Sequence, residues 1–136
     1  MTELERKKRY LKRYRKNIAL IERLEEKLLT LDERMLKIKS PNYSDVPKGG
    51  TPVTIDDLLN DKLEVEGRIN KLVQKGRILK REILDKIDEL DDPRYAEILE
   101  SFFIDCLDFD TIADNIGYTT RHVIRLYSEA LDRMSI

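Results

Sequence analysis

PRYAEILESFFIDCLDFDTIADNIGYTTRHVIRLYSEALDRM, residues 93–134, is the stretch on which the fold turns. It reads as three short helices. Asp92-Pro93 ends a preceding helix and opens the first of them, which carries Tyr95, Ile98, Leu99, Phe102 and Phe103. Asp108 is a good N-cap for the second, whose Phe109, Ile112, Ala113 and Ile116 fall on one side. Gly117 then stands where the chain must stop and reverse, a place that favours a residue tolerant of positive φ. Thr119 caps the last helix, in which Val123, Leu126, Tyr127, Ala130 and Met134 recur at helical spacing. The small Ala113 before the glycine lets the two helices approach closely. Two helices joined this way form the pattern of a helix-turn-helix, whose second helix enters the DNA major groove.

The helical wheel names the side chains that would face DNA. With the apolar stripe turned inward, Arg121, Arg125 and Ser128 share the opposite face, and Thr120 and His122 lie at its edges near the helix start. Residues at the start of a recognition helix reach base edges, and arginine there can pair with guanine through two hydrogen bonds. The plainer alternative is an exposed, solvated helix face.

The segment from Pro93 to Met134 resembles region 4 of bacterial sigma factors. Asp92-Pro93-Arg94-Tyr95, Ile112-Ala113, Ile116-Gly117-Tyr118, Arg121-His122-Val123, Leu126 and Glu129-Ala130-Leu131 carry that resemblance. The whole chain is similar to the RinA/ArpU-type transcriptional regulators of phages and prophages. Its loop residues Ser40-Pro41, Ser44-Asp45 and Pro47-Lys48-Gly49-Gly50 add to the match. The resemblance implies sequence-specific control of phage or mobile-element genes, with double-stranded DNA as the ligand. RNA polymerase, which sigma region 4 also contacts, is a second candidate partner. One departure matters. Where sigma factors run Arg, Glu, Arg, Val, Arg and Gln after the cap, this chain has Thr120, Arg121, His122, Val123, Ile124 and Arg125. An acceptor has become a cation and a cation has become apolar, so the preferred bases should differ.

The chain before this segment has a different character. Thr2 to Ile38 lacks glycine and proline and reads as one helix on the order of 50 Å long. Leu4, Leu11, Tyr14, Ile18, Ile21, Leu24, Leu28, Leu31, Met35 and Ile38 form a narrow coiled-coil seam along it. Residues 39–53 break the pattern with prolines and glycines and read as a loop. There, Tyr43 and Val46 would tuck onto the helix ends, while Lys48 before two glycines offers a weaker phosphate contact. A second long helix starts at Thr54, with Asp57 as its capping-box partner, and runs to about Leu90. Val65, Ile69, Leu72, Leu79, Ile83, Ile87 and Leu90 make its seam, and Gly76 within that stripe marks a close approach or a bend. The expected fold is therefore all-α. An antiparallel coiled-coil hairpin (1–90, with the loop 39–53) precedes a three-helix, sigma-region-4-like unit (91–136).

Charge is distributed unevenly. The 136 residues are 39% charged with a net charge of −1. Residues 1–16 hold eight basic side chains against Glu3 and Glu5, whereas residues 91–136 hold four arginines against ten acids. Phosphate neutralisation supplies most non-specific DNA affinity, so the acidic segment counts against DNA binding. An antiparallel hairpin would return the basic N-terminus to the same end. Thr119, Arg9, Lys12, Arg13, Lys80 and Arg81 are then the candidate phosphate contacts, with a merely solvated arm as the alternative.

Other functions find little footing. A lone His122 and a lone Cys106, read as a buried thiol on an apolar helix face, cannot assemble a zinc site. No nucleophile elbow or phosphate loop appears, and the carboxylates interleave with Lys and Arg at helix-surface spacing. No catalysis, metal, cofactor or small-molecule substrate is expected. No apolar stretch approaches the roughly 20 residues that span a bilayer, and the expected compartment is the bacterial cytoplasm. Homodimerisation is open, since helix-turn-helix proteins commonly use two half-sites. The rival function is a coiled-coil module that binds RNA polymerase or another protein without touching DNA.

Overall fold

The computed structural model describes residues 1–39 and 53–136, and every described element is helical. In chain order these are α1 (Glu3–Leu11), α2 (Arg13–Lys39), α3 (Ile55–Asp88), α4 (Pro93–Phe103), α5 (Phe109–Ile116) and α6 (Thr120–Arg133). The features assigned to the Pro-Gly-rich segment, Lys48 among them, lie outside the described residues. The described chain divides into two compact units, residues 1–18 with 75–136, and residues 19–74.

The caps explain where the helices begin. Thr54 and Asp57 exchange hydrogen bonds as a capping box at the start of α3. Asp92 accepts from the Arg94 N–H with Pro93 beside it, and Asp108 accepts from the Thr111 N–H at 2.8 Å. One expectation fails locally. The N-terminal helix is interrupted at Lys12, which leaves α1 and α2 as separate elements. Neither Pro nor Gly causes the break. There the Arg13 side chain folds back, its Nε donating to the Tyr10 carbonyl at 2.9 Å, while Leu11 is fully buried. Leu4, expected in the seam, is exposed, so the buried stripe begins at Leu11.

In the first unit, one core joins Leu11, Ile83 and Ile87 to the buried residues of α4, α5 and α6. The expected boundary at residue 90 therefore cuts through a continuous core. The physical reason is size, because three short helices bury too little apolar surface by themselves. Phe102 sits at the aromatic centre, stacked on Phe109 at 4.7 Å and edge-on to Phe103 and Tyr127. The N-terminal helices run antiparallel to α3 in this unit. Tyr10 and Arg13 both meet Glu82, and the later Asn17 meets the earlier Gly76.

In the second unit Leu24 and Leu31 of α2 share a small core with Leu58 and Val65 of α3. An Asp32–Lys62 ion pair at 3.0 Å lies beside it.

Gly76 is a site of close approach. A Cβ built there would lie 2.5 Å from Asn17 Oδ1, and Asn17 is itself buried. Gly67, in the same helix, would meet nothing within 4 Å. Gly67→Ala should therefore stabilise the protein by up to about 1 kcal/mol through helix propensity. Gly76→Leu should instead cost about 1–3 kcal/mol by overpacking. Urea unfolding of the two variants checks this, and equal shifts would show that no close approach exists at Gly76.

Candidate nucleic-acid interface

The turn before α6 is built from local chemistry. Gly117 adopts φ 75° and ψ 28°, and its N–H and that of Tyr118 both donate to the Ala113 carbonyl. Thr119 then accepts from the His122 N–H through its side-chain oxygen at 3.2 Å, fixing the start of α6. Val123, Leu126, Tyr127, Ala130 and Leu131 are buried against α4 and α5. Leu131 lies outside the stripe expected from the sequence spacing, yet it is fully buried.

The opposite side of α6 faces outward. Arg121, Arg125 and Ser128 are all exposed, and Thr119, Arg121, His122 and Arg125 line one open recess at the start of the helix. Arg125 is held in place, with Nη2 at 2.9 Å from His122 Nδ1 and Nε at 3.8 Å from Glu129. The His122 ring meets the Tyr118 ring edge-on at 4.7 Å. Glu129 also accepts from the buried Tyr95 hydroxyl at 2.8 Å, and that hydrogen bond, with burial, raises the Tyr95 pKa. Thr120 is placed differently from the other four expected base readers. Like His122 it is half-buried, but its hydroxyl donates to Asp110 at 2.7 Å, which ties α6 to α5.

The basic N-terminus belongs to the same compact unit and packs on α6. The structure sorts its cations into two groups. Lys7 is buried, and its Nζ donates to the Leu131 carbonyl at 2.9 Å and the Asp132 carbonyl at 3.4 Å, where a cation complements the helix C-terminus. Arg13 pairs with Glu82 at 3.2 Å and stacks over Tyr10, while Arg15 lies over the Phe102 ring. The Tyr10 hydroxyl and Arg13 both donate to Glu82 and hold its pKa below the ordinary value, the tyrosine contributing most. Arg6, Arg9, Lys12 and Lys16 are exposed, as are Lys80 and Arg81 on α3. Of the expected phosphate contacts, Arg13 is thus engaged within the chain, Thr119 caps α6, and the other four reach solvent. Lys7 meets α6 about ten residues after Arg121, or roughly 15 Å along the helix axis.

Cys106 departs from its expected burial on a helix face. It lies half-buried in the connection between α4 and α5, at φ 59°. Among the described residues no cluster of His, Cys, Asp and Glu is arranged to hold a metal ion, and no helix is long and apolar enough to cross a membrane.

Asp108 provides a pH test of the turn. The Thr111 N–H, and then its side chain, hold the Asp108 carboxyl below the ordinary carboxylate range. The unfolded chain therefore takes up this proton first, so the stabilisation is complete above the unfolded pKa of about 3.9 and fades as pH falls through the folded one. Asn caps equally well but does not titrate. In Asp108→Asn, thermal stability should decline less steeply below about pH 4 than in the parent. Identical acid slopes would remove Asp108 from the explanation.

No family model, curated protein or solved structure matches this chain.

Proposed function

We propose that α4–α6 act as a helix-turn-helix unit that binds double-stranded DNA, with α6 in the major groove. On this reading α2 and α3 form a coiled-coil hairpin, and the protein regulates transcription of phage or mobile-element genes in a bacterial cytoplasm. The supporting observation is that Arg121, Arg125 and Ser128 stand exposed together, directly after a capped, left-handed turn. The resemblance to sigma region 4 supplies the docking mode, and the altered residues at 121, 122 and 125 imply a different base preference. RNA polymerase and a second copy of the chain remain candidate partners.

Charge favours the second reading, a protein-binding module, since residues 91–136 alone carry −6. The compact unit as a whole has seventeen basic and sixteen acidic residues, because the N-terminal segment is part of it. We place phosphate contact on Arg9, Lys12, Lys80 and Arg81, with base contact on Arg121, His122, Arg125 and Ser128.

Selecting bound duplexes from a random pool tests the proposal and yields the operator. Replacing Arg9 and Lys12 together by alanine should weaken binding to all sequences and reduce the salt slope by about 2. An unchanged slope removes the arm from the interface. Tight protein binding with no duplex recovered would favour the second reading.

A further inference from the structure

Unit 19–74 keeps a second apolar surface outside its core. Leu29 and Leu36 of α2, and Leu59 and Leu63 of α3, are 42–69% exposed. Three of them stand at helical-neighbour spacing from the same ion pair. Leu29 and Leu36 lie three before and four after Asp32, while Leu59 lies three before its partner Lys62 and four before Leu63. Residues three and four apart share a helix face, so the pair marks one side on which both helices present leucine.

The surroundings of these leucines are acidic. Glu25, Glu26, Asp32, Glu33, Asp56 and Glu66 stand three or four positions from one of them. The cations at that spacing are Lys62, already paired with Asp32, and Lys39 at the end of α2, so the acids outnumber them three to one. Such a face repels DNA and anionic lipid. A second copy docking by the same face would set these carboxylates against their own images across a two-fold axis. The complementary ligand has an apolar stripe flanked by Lys or Arg.

We infer that this leucine face receives a cationic amphipathic helix of a partner protein. The anchors are the four leucines, and the flanking carboxylates select the charge of the incoming helix. The leucines and the proposed DNA contacts belong to different compact units, so either assignment can fail without the other.

The test uses the full chain and a labelled helical peptide with leucine at positions i, i+3, i+4 and i+7 and lysine elsewhere. Saturable one-to-one binding is expected by fluorescence anisotropy, and the same peptide with glutamate for lysine should not bind. The double variant Leu29→Ser/Leu63→Ser should weaken binding at least about tenfold, since each removes a buried apolar anchor. Glu25→Gln/Glu33→Gln, which leaves the leucines in place, should weaken it less and flatten its salt dependence. Absence of saturable binding would overturn the inference, as would equal affinity of the serine variant, which would indicate diffuse charge attraction. So would a dimer in sedimentation equilibrium that Leu29→Ser/Leu63→Ser dissolves, because a second copy would then occupy the face.

Discussion

Replacing Arg121 and Arg125 together by alanine is expected to abolish sequence-specific retardation of duplex DNA while leaving the fold intact. Both side chains are exposed on α6 and contribute nothing to its buried stripe. An arginine that pairs in bidentate fashion with guanine discriminates by about 1–3 kcal/mol. Two such residues then separate specific from variant binding by between about 30-fold and 10⁴-fold. The contacts of Arg125 with His122 and Glu129 are surface interactions, which are worth at most about 1 kcal/mol. Urea unfolding should accordingly shift by no more than that amount. Retention of specific binding by the double variant would contradict the assignment of α6, whereas loss of binding together with loss of the fold would trace the effect to stability.

Leu11→Ala is expected to cost about 2–5 kcal/mol. Leu11 is fully buried in the core that holds Ile83, Ile87 and the interior of α4–α6, although more than eighty residues separate it from α4. The cost depends on how far that core can collapse into the vacated space. Leu4→Ala is the control, because Leu4 is 42% exposed and should lose under about 1 kcal/mol. Denaturant titration of the two variants measures the difference. If both cost the same, the N-terminal helix is an appendage and the core ends at α3.

The C-terminal segment was largely legible because its signals are local. Asp92, Asp108 and Thr119 cap neighbouring N–H groups, Gly117 takes positive φ, and the 3.6-residue period marks the buried residues. The outward position of Arg121 and Arg125 follows from the same period. Contacts between distant segments were not legible. Eight basic residues in sixteen give no sign that Lys7 turns inward to the last turn of α6, or that Arg13 binds the distant Glu82 of α3. Likewise the break at Lys12 has no local breaker, and Thr120 looks like any helix-start threonine until Asp110 is placed beside it. The exposed leucines at 29, 36, 59 and 63 lie outside the seam on each helix. They gain meaning once the Asp32–Lys62 pair shows that the two helices lie side by side there.

Isotope-labelled protein titrated with a selected duplex and followed through its amide signals reports directly on the face that meets DNA. The largest changes should fall at Arg121, His122, Arg125 and Ser128, with smaller ones at Arg9, Lys12, Lys80 and Arg81. Changes confined to other residues, with Arg121 and Arg125 unmoved at saturation, would contradict insertion of α6 into the major groove.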